Sequence, residues 1–216
     1  MVKSLRIFVE GGGEIGQGDK YLARDLREAF KKFFICAGLP ERRIHINRCG
    51  SRNRAFEEFR NKKSKDEINL LLVDSEDPVP EIYYDKPLAF LKVRDNFVAP
   101  NNISDEQVHL MTQCMESWFL ADLEAVQSYF GSGCNLSRLP TTKPIEAAEK
   151  QAIFDGLNHA AQNTTKHHYR KGRDAFAILK LLDPEKVQRH SPWACRLLQT
   201  MDNLLVESIQ SARNCP

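Results

Sequence analysis

Ile68-Asn69-Leu70-Leu71-Leu72-Val73-Asp74 is the stretch on which the fold turns. A short apolar run that ends in an acid and a turn cluster, here Ser75-Glu76-Asp77-Pro78, reads as a strand buried on both faces, the pattern of a parallel sheet. Upstream, Ser51 caps a very basic helix running to about Lys63, with Ala55, Phe56 and Phe59 on its apolar side. Ile44-His45-Ile46 is a short strand before it. A longer helix spans about Asp19 to Ala37, keeping Leu22, Leu26, Ala29, Phe30 and Phe33 on one face until Gly38 and Pro40 stop it. Leu5-Arg6-Ile7-Phe8-Val9 alternates and opens the series as the first strand. Residues 5–74 therefore read β-α-β-α-β, which demands a parallel sheet with right-handed crossovers.

Downstream the pattern turns helical. Ala89–Val93 reads as a further strand. Ser104 and Gln107 have the spacing of a capping box, which predicts one long helix to about Phe130. On that helix Val108, Met111, Met115, Trp118, Phe119, Val126 and Tyr129 share a face with Asp122 in its middle, so Asp122 needs an arginine or backbone donors. Helices at about 146–162, 174–182 and 192–211 follow. The expected architecture is α/β, a Rossmann-like parallel sheet flanked by helices over 1–100, with a C-terminal helical extension over 101–216 packed on the same core.

Composition narrows the class. The 216 residues are 42% hydrophobic and 28% charged, enough for a core without staples. No apolar run approaches the roughly 20 residues a bilayer needs. The first residues run straight into the strand pattern, so no signal peptide is expected. The six cysteines form no C-x-x-C pair, which points to reduced thiols in a cytoplasmic protein and to neither a zinc site nor a disulfide framework. The net charge of +2 conceals a basic block over 20–65, with 14 Lys/Arg against 5 Asp/Glu, beside an acidic block over 66–130, with 3 against 13. Such a pair is either two mutually attracting faces or a polyanion-binding surface next to a cation-binding centre.

Two readings compete for the loop after the first strand. Gly11-Gly12-Gly13-Glu14-Ile15-Gly16 matches G-x-G-x-x-G, and the next strand ends in Arg48, where a 2′-phosphate would sit; this is the NADP- or nucleotide-binding alternative. A P-loop is disfavoured, since Lys20 is displaced by one residue and no Ser/Thr follows. The other reading takes the acids as the signal. Glu10 and Glu14 follow the first strand, and Asp74, Glu76 and Asp77 end the third. The carboxyl ends of parallel strands share one edge, so the clusters meet. Converging carboxylates cannot all stay ionised unpaired, and a hard cation, Mg²⁺ or Mn²⁺, resolves the repulsion. Asp77 or Glu81 alone reads as an ordinary loop acid.

Val9-Glu10-Gly11-Gly12-Gly13-Glu14, followed after two more strands by Leu72-Val73-Asp74-Ser75-Glu76, resembles a Toprim domain. The hallmark there is a Glu after the first strand and an Asp-x-Asp after the third, with Glu76 standing for the second Asp in this chain. The Glu-Gly-x-x-Glu form is most similar to the OLD and RloB-like nucleases. The whole chain, including His109–Asp122 and Tyr169-Arg170-Lys171-Gly172-Arg173, resembles a small bacterial Toprim-related family. The resemblance implies a Mg²⁺-dependent nuclease, a phosphodiester hydrolase acting on RNA, tRNA or DNA. It further implies an anti-phage setting and an ABC-type or AAA ATPase partner encoded nearby; a homodimer is compatible. Glu10, Asp74 and Glu76 would hold the metal, with Glu14 and Asp77 adding to them.

The second half offers supporting groups. Glu116, on a polar stripe with His109 and Gln113, is a candidate further carboxylate or general base facing the cluster, or else a solvated flank. Lys166, His168, Arg170, Lys171 and Arg173 form a phosphate clamp or a plain basic loop, with Lys171 and Arg173 the principal candidates. Arg52 and Arg54 of the basic helix are a second phosphate-contacting face. A non-catalytic metal- or phosphate-binding interaction module stands as the remaining alternative.

Overall fold

The structure, a computed structural model, describes the backbone of residues 4–11 and 19–213. Strands β1 (Ser4–Val9), β2 (Ile44–Arg48), β3 (Glu67–Asp74) and β4 (Val108–Met111) form one sheet in the order β2-β1-β3-β4, every pair parallel. Each central strand sends alternate residues to opposite sides, as a pleated strand must. Leu5, Ile7 and Val9 of β1 and Leu70 and Leu72 of β3 meet Leu26, Phe30 and Phe33 of α1 (Asp19–Cys36). Phe8, Leu71 and Val73 face the other way, onto Phe56 and Phe59 of α2 (Arg52–Asn61) and Phe90 and Leu91 of α3 (Pro87–Asp95). Helices thus cover both faces, and the expected α/β architecture is present.

Two expected elements differ. Residues 89–93 belong to α3 and not to a strand: Pro87 opens the helix, Phe90 and Leu91 turn inward, and Asn96 closes it in the left-handed conformation. The long helix predicted over 104–130 does not exist. The Ser104–Gln107 capping box forms, but it closes a single 3-10 turn (Asp105–Gln107). The Gln107 side chain donates to the Asn69 carbonyl at 3.1 Å, which brings the chain alongside β3. Val108–Met111 then pairs as β4, a 3-10 stretch covers Met115–Ala121, and only α4 (Leu123–Phe130) is α-helical. The sheet therefore takes its last strand from beyond residue 100, so residue 100 does not divide the α/β part from the rest.

The remaining helices are α5 (Lys150–Ala161), α6 (Arg173–Leu179), α7 (Pro184–His190) and α8 (Pro192–Arg213). They pack mainly on the α1 side, where Trp118 stacks on Phe33 with ring centroids 5.1 Å apart and Leu157, Phe176 and Met201 join the same core, while Trp193 at the start of α8 reaches the opposite core. Helix α7, capped by the Asp183 side chain, was not expected from the sequence. Asp122 is buried in the core and caps α4; it accepts the expected backbone donors, the Ala125 amide and the Asp183 amide at 2.9 Å, and in addition Lys186 Nζ at 2.8 Å. Among the described residues no helix is long and apolar enough to cross a membrane.

Helix α5 fits closely over the segment before it. A Cβ on Gly156 would lie 2.9 Å from the Arg138 carbonyl oxygen and 3.0 Å from Leu139 Cα. Alanine is the better helix former by about 1 kcal/mol, but the obstacle is backbone, and overpacking typically costs about 1–3 kcal/mol. Gly156→Ala is expected to lower the melting temperature by several degrees; a thermal melt showing a rise would mean that the loop yields.

Candidate metal centre

The register sets the site. Val9 lies beside Leu72, and the Glu10 amide donates to the Leu72 carbonyl at 3.3 Å, so Glu10 leaves β1 level with the last turn of the pleat in β3. Asp74 ends β3, and its Oδ1 accepts the Met115 amide at 2.9 Å. Beyond it the Ser75 amide donates to Met111 and the Glu76 amide to Gln113, at 2.9 and 2.8 Å. These bonds hold Glu76 at φ +66°, a left-handed conformation unusual for a side chain of its size. One carboxylate oxygen each of Glu10, Asp74 and Glu76 then lies within 4.8 Å of the others.

The cluster is short of compensating partners. Glu10 Oε2 is buried with no hydrogen-bond donor. Burial, then the neighbouring Glu76, raises the Glu10 carboxyl above its ordinary range, with Arg52 and Lys150 opposing. Asp74 is pushed well above its ordinary range by burial first, then by Glu10 and Glu116. Two cations answer part of this charge. Lys150, the first residue of α5, pairs with Glu76, and the Arg52 guanidinium donates to the Asp74 carbonyl and to Asp95. Three hard oxygen ligands with an unsatisfied lone pair suit a divalent cation of the Mg²⁺ or Mn²⁺ kind better than a softer metal.

Glu10, Asp74 and Glu116 lie on the wall of a cavity of about 520 Å³, together with Arg52 and Lys171. Glu116 is buried and accepts the Tyr169 hydroxyl at 2.9 Å. His109 does not join it. That ring is buried on β4, between the Glu106 carbonyl at 3.0 Å and the Arg196 guanidinium at 3.0 Å, and burial followed by the Arg196 charge lowers its pKa to about 3. The alternation of a strand, in place of the expected helical stripe, is what separates His109 from Glu116.

A family model described as a domain of unknown function, DUF4276, matches residues 9–202. The chain belongs to the DUF4276 family. No curated protein and no solved structure matches it significantly. The matched span begins one residue before Glu10 and runs through the first half of α8, so the sheet edge and the helical half up to residue 202 lie within the DUF4276 unit.

The other candidates distribute as follows in this DUF4276 chain. Glu14 lies outside the described residues, as do Gly12 to Gly18; Gly11 donates to the Gly50 carbonyl, and Arg48 Nε donates to Gly11 O, each at 2.9 Å. Asp77 points away from the cluster and pairs with Arg94 at 2.5 Å, because the Ser75–Glu76 turn directs the two acids apart. Lys171 Nζ sits 5.3 Å from the Phe154 ring centroid at the cavity wall, while Lys166 Nζ lies over Tyr129 at 4.6 Å, away from it. Arg170 is committed to Asp174, and Arg54 to Glu58 along an exposed helix face at 2.7 Å, so neither is placed as a phosphate contact. His168 and Arg173 are exposed. Lys150 was missed: it lies 74 residues from Glu76, and nothing local to its helix signals the pairing.

Proposed function

We propose that this DUF4276 protein is a Mg²⁺- or Mn²⁺-dependent phosphodiester hydrolase acting on nucleic acid. The observation that carries the reading is the convergence of Glu10, Asp74 and Glu76 at the carboxyl ends of two adjacent parallel strands, with Glu10 Oε2 left without a donor. The Toprim resemblance of the same residues supports it, and from that resemblance comes the proposal of an ATPase partner.

Glu10, Asp74 and Glu76 would hold the cation, which supplies a Lewis acid and neutralises charge on the phosphate. Hydrolysis joins a water oxygen to phosphorus and breaks one P–O ester bond, whose oxygen leaves with the electron pair and takes up a proton. Glu116 lines the same cavity and is the carboxylate best sited to take the water's proton, with Tyr169 holding its second oxygen in place. Lys171 and the Arg52 guanidinium supply positive charge for the phosphate oxygens.

The test is cleavage of tRNA, single-stranded RNA, plasmid and single-stranded DNA with either metal, comparing wild type with folded Glu10→Ala and Asp74→Ala. Loss of cleavage of about a hundredfold or more in both variants is expected. Wild type that binds metal and cuts nothing, even with an ATPase partner, would favour the interaction module.

Lys150 gives an independent check. Its ammonium is a resident counter-charge, and at about 4 Å one unit charge is worth about 1 kcal/mol even in water. Lys150→Met is expected to tighten Mn²⁺ binding by roughly threefold to tenfold in calorimetric titration; weaker binding would mean that the lysine helps to build the metal site.

A further inference from the structure

We infer that the cavity beside the carboxylates is a pocket for one unpaired nucleotide, so the substrate is a single strand; this rests on the phosphodiesterase reading above. The lining of the cavity combines two chemistries. Glu10, Asp74, Glu116, Arg52 and Lys171 are charged, and the amino end of α2 at Gly50 and Ser51 lies with them. Leu22, Met111, Met115, Ala175 and Phe176 are apolar. A phosphate alone has no use for the apolar lining. A nucleotide does, since its base is a flat, largely apolar body attached to an anion, and a base reaches such a lining only after leaving its stack.

Arg52 supplies a second observation. Its side chain is about nine-tenths buried, and two of its nitrogens are spent on the Asp74 carbonyl and on Asp95, yet its Nε has no acceptor. A guanidinium immobilised in this way at the cavity wall is a fixed positive charge beside which the phosphate of an arriving nucleotide can settle. At about 520 Å³ the cavity is in the range of small-ligand pockets and holds one nucleotide, not a paired duplex. Among the described lining residues, Leu22, Met111, Met115, Ala175 and Phe176 bring no side-chain nitrogen or oxygen to a base edge, so this part of the pocket favours no particular base.

The test uses the full chain in Ca²⁺ with a fluorescein-labelled single strand and the same strand annealed to its complement, read by anisotropy. Wild type is expected to bind the single strand at least tenfold tighter than the duplex. A 2-aminopurine within the strand should brighten as it unstacks into the cavity. Leu22→Trp, which enlarges an apolar lining residue into the cavity, should weaken single-strand binding at least tenfold and leave Mn²⁺ binding within twofold. Equal affinity for duplex and single strand, an unchanged 2-aminopurine signal, or tighter binding of a free mononucleotide than of the strand would each overturn the inference. Should Leu22→Trp not fold, the duplex comparison and the 2-aminopurine signal on wild type decide alone. None of these readouts needs turnover. Metal-dependent cleavage of duplex and single strand at equal rates, lost in Glu10→Ala, would keep the hydrolase reading and reject the pocket.

Discussion

Saturating Mg²⁺ is expected to raise the melting temperature of the wild type and to leave that of Asp74→Asn almost unmoved. At a hundredfold excess over the dissociation constant, a ligand specific for the folded state adds about 2.7 kcal/mol, or roughly 5–11 °C for a chain of this length. Asparagine keeps the oxygen that accepts the Met115 amide and removes only the charge, so the loop following β4 should stay in place. In EDTA the order reverses. Glu10 is half-buried beside Asp74 and Glu76 with one buried oxygen unpartnered, and desolvation and the Glu76 charge oppose its ionisation. Glu10→Gln should therefore melt above the wild type without metal, by about 1 kcal/mol, and below it with metal. Equal Mg²⁺ shifts in wild type and both variants would remove the carboxylate cluster as the binding site.

Asp174→Ala should be among the most destabilising single changes outside the centre of the core. The Asp174 carboxylate is fully buried at the start of α6. It accepts the Tyr129 hydroxyl at 2.7 Å, the Arg170 amide at 2.8 Å and the Arg170 guanidinium at 2.9 Å. Alanine leaves these donors without an acceptor, at a cost of about 2–4 kcal/mol once the partial exposure of Arg170 is allowed for. The melting temperature should fall by roughly 4–16 °C. Lys171 lies on the segment that this carboxylate fastens, so single-strand binding should weaken as well. The pH dependence follows from the sign of the shift. Its hydrogen bonds to Arg170 and Tyr129 hold the Asp174 carboxyl below its ordinary value of 3.8 against the opposing effect of burial. A lowered folded pKa means a contribution that is complete above about pH 4 and lost as pH falls further. The stability difference between wild type and Asp174→Ala should accordingly be constant from pH 5 to 8 and narrow only in stronger acid; narrowing near neutrality would point to another group.

The sequence by itself determined the parallel sheet and the meeting of the acids. β1 and β3 are legible because strand burial imposes a period of two or an unbroken apolar run, and β-α-β connectivity then forces their carboxyl ends to one edge. Glu10 and Asp74 were readable as a pair for that reason alone. Residues 104–130 were not legible. Met111, Met115 and Trp118 have helical spacing and the capping box is real, yet Val108–Met111 is a four-residue strand whose strand pairing is with β3. A strand buried on every side has no periodicity of its own, so only the partner strand shows what it is. The turn after β3 was equally hidden: backbone bonds from Ser75 and Glu76 to Met111 and Gln113 bring Glu76 into the cluster and leave Asp77 outside it. Lys150 on α5, Tyr169 in the segment before α6 and the mixed lining of the cavity come from parts of the chain far apart in sequence. Their positions are set by packing on Phe33 and Trp118, a long-range arrangement that no local spacing encodes.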